Sequence, residues 1–154
     1  MKFSTREDIE VPVDDVFARI ADFDTFERMA LRHGAQVTRR DGPGPGTTWQ
    51  VRADIRGKPR EMRIALVRLD APDGLTVDIA SAGIVGALVV ELVALSRSRT
   101  RMRVALEVRP QTLSARLSIQ SARLARGTLT KRYKGRIAQF AREIETSHKR
   151  APRT

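Results

Sequence analysis

Residues 113–149 read LSARLSIQSARLARGTLTKRYKGRIAQFAREIETSHK, and the rest of the chain is organised around them. Ala115, Ile119, Ala122, Leu129, Tyr133, Ile137, Phe140 and Ile144 recur at steps of three and four, with Arg126 filling the gap. That spacing keeps them on one face of an α-helix, so one long helix is expected from Leu113 to about Lys149. Its halves differ. After Gly127 only one side is apolar. Before Gly127 a second row, Leu113, Leu117 and Leu124, lies roughly opposite the first. The extra row needs a cover (a loop, a second subunit or a lipid), or the helix must bend near Gly127. The small residues of the first half leave room for a cavity there, while the second half should plug the core.

Working outward from this helix, the upstream chain reads as strands and turns. Lys2 to Val11 alternates, with Phe3, Thr5, Glu7, Ile9 and Val11 on one side. Pro12 ends that strand. Asp14 and Asp15 open a short helix, Val13 to Ala21, where carboxylates complement the helix dipole. A second short helix follows, with Asp24 expected as N-cap and Glu27 completing a capping box. Gly34 is placed to end it in a left-handed cap.

From Ala35 to Arg109 six strands follow, each with one apolar face: 35–41, 47–56, 60–69, 75–80, 84–95 and about 101–109. They are joined by turns such as Gly42-Pro43-Gly44-Pro45-Gly46, Gly57-Lys58 and Asp70-Ala71-Pro72-Asp73-Gly74. Consecutive strands with short turns make an antiparallel meander. A curved sheet with one apolar face needs a cover, and the final helix is the element long enough to provide it. The expected architecture is α+β: a seven-stranded antiparallel sheet, in the order β-α-α-β6-α, wrapped around the C-terminal helix. One domain spans 1–150, with a frayed tail at 151–154.

Composition limits the chemistry. The chain holds no cysteine, so disulfides, thiolate catalysis and cysteine-ligated metals are excluded. It holds two histidines, His33 and His148, far apart in sequence, which argues against a metal site. No Ser stands in a Gly-x-Ser-x-Gly elbow, and no paired inward carboxylates appear. No catalytic residue, cofactor or metal is therefore assigned. No apolar run is long enough to span a bilayer and no signal-peptide core begins the chain, so a cytoplasmic protein is expected.

The charge of +11 is unevenly placed. Residues 1–113 hold 18 Lys/Arg against 16 Asp/Glu, and residues 114–154 hold 11 against 2. The basic character belongs to the final helix and tail. Most such runs are solvated faces. An anionic membrane surface or acidic partner is the next reading. Nucleic acid ranks last, since no nucleic-acid-binding signature is present and only Tyr133 offers stacking within the basic helix.

The segment Ile9-Glu10-Val11-Pro12-Val13-Asp14-Asp15-Val16-Phe17, followed by Asp22-Phe23-Asp24 and the aromatic Phe26, resembles the opening of the START-like superfamily. That superfamily is also called SRPBCC. It includes the pollen-allergen fold, polyketide cyclases and lipid-transfer domains. The resemblance extends over the whole chain by element order. It implies a helix-grip fold with a cavity between sheet and helix, and it carries no common catalytic set.

Under that resemblance the inward residues become the expected ligand site. They are Trp49, Val51, Met62, Ile64, Val77, Val90, Leu92, Val104 and Leu106 from the sheet, with Ile119, Ala122, Arg126, Leu129 and Tyr133 from the helix. An apolar pocket with few polar groups suits a lipid-, isoprenoid- or polyketide-like molecule. Arg126 is read either as holding an anionic group at the cavity mouth or as snorkelling to solvent. Glu7 is read as a strand-edge carboxylate with its head in water, the alternative being a buried acid or base.

Three functions compete. The first is binding or transport of an apolar small molecule. The second is a cyclase or dehydratase acting on a polyketide-like substrate. The third is an interaction protein using the basic helix, with a homodimer as one way to cover its Leu row.

Overall fold

The computed structural model describes residues 1–55 and 57–150. Arg56, placed above at a strand end, and the tail expected at Ala151–Thr154 lie outside the described residues. In chain order the elements are β1 (Lys2–Ile9), α1 (Val13–Ile20), α2 (Phe23–Arg32), β2 (Gln36–Arg40), β3 (Thr48–Ile55), β4 (Lys58–Asp70), β5 (Gly74–Ser81), β6 (Ile84–Ser96), β7 (Arg99–Pro110), α3 (Leu113–Leu124) and α4 (Arg126–Arg150).

The seven strands form one antiparallel sheet in the order β1-β7-β6-β5-β4-β3-β2. The first strand thus closes against the last, with Phe3 opposite Leu106 and Glu7 opposite Met102. Alternation fixes the faces. Trp49 opposite Ile64, Val77 opposite Leu88 and Val90 opposite Val104 point inward together. The helix-grip α+β arrangement is the observed one.

Two turns show why glycine stands where it does. Ile55 pairs with Lys58 across the turn at Gly57, whose φ of 76° only glycine adopts freely. Lys58 belongs to the strand and not to the turn. Gly74 opens β5 with φ 150°, and an added Cβ there would lie 1.9 Å from the Val90 carbonyl oxygen. The backbones of β5 and β6 approach too closely for any side chain at that position.

Two readings of the helices need correction. The N-cap of α2 is Asp22, not Asp24: its carboxylate accepts from the Thr25 backbone N–H at 3.3 Å and the Thr25 hydroxyl at 2.6 Å. The Thr25 hydroxyl bond holds the Asp22 carboxyl below its ordinary pKa. Asp22 wins because it precedes the apolar run that begins at Phe23. Gly34 does adopt a left-handed φ, 87°, just past the helix.

The segment 113–149 is two helices, not one. The break falls at Ala125, whose N–H bonds back to the Ala122 carbonyl at 3.0 Å. It lies two residues before Gly127. α3 buries Ala115 and Ile119 and packs on β7, whereas α4 runs along β1. The turn falls next to Arg126, where the apolar stripe is interrupted.

The core gathers at one end of the concave face. Ile9, Val11, Val16 and Ile144 are almost wholly buried there, and Met102, also buried, borders the cavity described below. The buried Thr100 hydroxyl donates to the Val11 carbonyl at 2.7 Å, which satisfies both polar groups. α1 seals this end by packing against β6, β7 and α4.

Candidate functional site: an apolar cavity with one carboxylate

Away from that end the space between sheet and helices is not filled. α4 lies over the β1 edge and α2 over the β2 edge, so the middle strands are roofed only by side chains reaching inward from both. The result is a cavity of about 380 Å³. Its floor is Trp49 and Val51 of β3, Ile64 of β4, Leu75 and Val77 of β5, Leu88 and Val90 of β6, and Met102 and Val104 of β7. Val37 of the edge strand β2 completes it. Ile20, Phe23, Phe26, Glu27 and Ala30 wall one side, and Ile137 and Phe140 of α4 wall the other.

Aromatic contacts shape this space. Phe26 and Phe140 meet across the top with ring centroids 5.7 Å apart. Phe26 is also among the exposed large apolar residues, so this pair stands at the solvent boundary. Phe23 tilts against Trp49 at 5.1 Å, which backs the floor.

Glu27 is the single ionisable residue of the lining. Its Oε1 accepts from the Trp49 indole N–H at 2.8 Å and from Arg39 Nε at 2.5 Å. Arg39 reaches inward from β2, opposite Trp49 in the ladder, and also bonds Asp24 at 2.7 Å. The Glu27 bond holds the guanidinium above its ordinary pKa, with the Asp24 bond adding to it. The side chain so placed is neither a helix cap nor a free surface acid; it fixes the rotamer of the cavity's tryptophan.

Of the fourteen residues expected to form the ligand site, Trp49, Val51, Ile64, Val77, Val90 and Val104 line the cavity. The other eight lie outside its lining. Leu92 is fully enclosed in the packed end. Met62 and Leu106 share the inward phase, opposite the lining residues Val51 and Leu88, without being part of the lining. Ile119 and Ala122 belong to α3, and Ile119 is buried in packing. Leu129 is half-buried on α4. Arg126 is exposed at the start of α4, which favours the solvent reading. Tyr133 packs on Phe3 at 5.6 Å, and its hydroxyl donates to the Val104 carbonyl at 2.6 Å. Burial raises the pKa of this phenol.

The cavity also lies under the opposite half of the C-terminal segment from the one expected. α3 packs on β7 with Ala115 and Ile119 buried, and none of its residues lines the cavity. Held over the sheet edge, α4 spans the space with only Ile137 and Phe140. Four of the lining residues that sequence reasoning missed, Phe23, Phe26, Glu27 and Ala30, come from α2. A signal was present: Phe23, Glu27 and Ala30 share one helical face, so Glu27 faces where Phe23 faces.

Glu7 is half-buried on the inward phase of β1, opposite Met102, and is outside the cavity lining. Among the described residues no cluster of His, Cys, Asp or Glu could hold a metal ion. None of the described helices is long and apolar enough to cross a membrane. A second depression of about 480 Å³ lies on the outer sheet face, rimmed by charged residues such as Arg63, Asp78, Glu107 and Arg109. It differs from the cavity in its charged rim and in lying on the convex side of the sheet, where none of the described helices covers it.

A helix-grip scaffold enclosing an apolar cavity defines the class of this molecule. The family described as polyketide cyclase / dehydrase and lipid transport matches residues 1–145, and the chain belongs to it. Solved structures share the fold at low identity. Norcoclaurine synthase from Thalictrum flavum is 12% identical with a TM-score of 0.71, over 98% of this chain and 87% of that one. Ara h 8.0201 is 16% identical with a TM-score of 0.61, over 96% of each chain. A protein from Arthrobacter aurescens is 18% identical with a TM-score of 0.64, over 94% of this chain and 86% of that one. No protein of curated function matches the sequence.

Proposed function

We propose that this protein binds, and in that bound form carries, a lipid-, isoprenoid- or polyketide-like molecule in the cavity between sheet and α4. The observation that carries the reading is the lining itself: a space of about 380 Å³ in which every wall residue but Glu27 is apolar. That volume falls within the roughly 300–1,000 Å³ usual for small-molecule sites. Membership of a family that includes lipid transport supports it.

A cyclase or dehydratase role draws support from the same family description. Such chemistry needs a proton donor and an acceptor placed against the reacting atoms. The lining offers Glu27 alone, so binding is the better-supported function.

Native mass spectrometry of freshly purified protein tests it. A mass increment from a co-purified apolar compound is expected, displaced by added long-chain alcohol. A protein that stays empty and takes up no apolar probe would overturn the reading.

A second reading rests on α3. Leu113, Leu117 and Leu124 are 74%, 57% and 92% exposed, and fall on one helical stripe with Arg116 and Arg123 along its margin. An apolar stripe with a basic margin suits adsorption to an anionic membrane surface. Liposome flotation tests it: binding to anionic vesicles that weakens at high salt is expected, and none to neutral ones.

A further inference from the structure

The cavity contains one polar group that its own protein leaves half used. Glu27 is pinned through Oε1 alone, by Trp49 Nε1 at 2.8 Å and Arg39 Nε at 2.5 Å. Among the described residues nothing donates to its Oε2. The side chain is 26% exposed and lies on the wall of an otherwise apolar space. Arg39 is in turn fixed by Asp24 at 2.7 Å and sits 5.9 Å from the Trp49 ring centroid. Trp49 and Arg39, the latter steadied by Asp24, therefore hold the carboxylate in place before any ligand arrives, which keeps the ordering cost of binding low.

Resting on the binding function proposed above, we infer that Glu27 Oε2 is the acceptor for a hydroxyl on an otherwise apolar ligand. The ligand class is then an alcohol or phenol with a hydrocarbon body, not a hydrocarbon and not a carboxylic acid. The adjoining guanidinium bonds both Glu27 and Asp24, and Asp24, 70% exposed, is screened by water, so the charge of Glu27 is offset in part. What remains at Oε2 is a strong acceptor site whose charge the guanidinium moderates, which suits a neutral O–H donor. A ligand carboxylate would meet Glu27 as a like charge with no donor to receive it.

Three probes of one chain length separate the outcomes: 1-octanol, its isomer 1-methoxyheptane and octylamine. Affinity is read by titration calorimetry at pH 7, and entry into the cavity by the emission shift of Trp49, the only tryptophan. In the wild type 1-octanol should bind about tenfold more tightly than 1-methoxyheptane, the effect of one hydrogen bond to a charged group. In Glu27→Gln the amide can keep its oxygen toward Trp49 and Arg39 and present N–H₂ where Oε2 stood. The preference should then fall to about twofold or less while both probes still bind. Equal affinities for the two isomers in the wild type, or a preference that survives in Glu27→Gln, would overturn the anchor and leave the cavity function standing. A Glu27-dependent preference for octylamine over 1-octanol overturns the hydroxyl assignment in favour of a cation. If no probe binds and Trp49 emission does not move, the binding function falls and the anchor with it.

Discussion

At one end of the concave face Ile9, Val11, Val16 and Ile144 meet with essentially no exposed surface, while at the other Val37, Val51, Ile64, Ile137 and Phe140 line a void. Both ends are built from the same kinds of side chain on the same sheet. The difference lies in what stands opposite. α1, with Val16 buried, packs against β6, β7 and α4 at the first end. At the second, α2 stays over the β2 edge and leaves the middle strands without a partner. A hollow in this fold is thus a matter of helix placement, not of side chains too small to fill it.

The comparison can be broken at the packed end first. Ile144→Ala should cost about 2–5 kcal/mol, since the void it leaves is hemmed in on every side. Ile137→Ala, facing the cavity, should cost less than half of that. Chemical denaturation of both variants checks the ratio; equal losses would mean the two ends are packed alike. Enlargement gives the mirror test. Val16→Phe overfills a tight site and should destabilise by about 1–3 kcal/mol, whereas Leu88→Phe grows into free space. Leu88→Phe should leave the melting temperature nearly unchanged and abolish uptake of a cavity probe.

Next in size is the cap that sets α2 over its edge. Asp22→Ala should cost about 1 kcal/mol. The folded Asp22 has a pKa below its ordinary 3.8, so its contribution is complete above that value. It is lost as pH falls through the lower, folded pKa. The wild type should therefore lose stability relative to Asp22→Ala as pH falls below about 4. Parallel unfolding curves from pH 5 to pH 2 would contradict this. The smallest expected effect is at Leu117→Glu, on the exposed face of α3. Its stability should stay within about 0.5 kcal/mol of wild type. Vesicle binding, if it resides on that face, should disappear.

The sequence carried the strands and their phase because alternation is a local property. Trp49, Val51, Ile64, Val77, Val90 and Val104 follow from counting by two. The helical half of the site was harder to read because periodicity assigns a face and not a neighbour. Ile119 and Ile137 share one stripe, yet the first is packed on β7 and the second faces the cavity. The turn at Ala125 that separates their fates involves neither Gly nor Pro. Glu27 was legible in part, as a member of the Phe23 face, but its spacing from Asp24 also fits a capping pattern. Only the position of Trp49, twenty-two residues away, decides between them.

The pairing of β1 with β7 also sets an order of events during synthesis. Phe3 finds its ladder partner in Leu106, about a hundred residues later. At roughly 5–20 residues per second, β1 leaves the ribosome several seconds before that partner exists. The β2–β6 meander consists of neighbours in sequence and can assemble meanwhile. Ile9 and Val11, among the most deeply enclosed of the described residues, must wait as exposed chain until β7 and then α4 arrive. The nascent chain is therefore most vulnerable to chaperone capture or aggregation at its first strand.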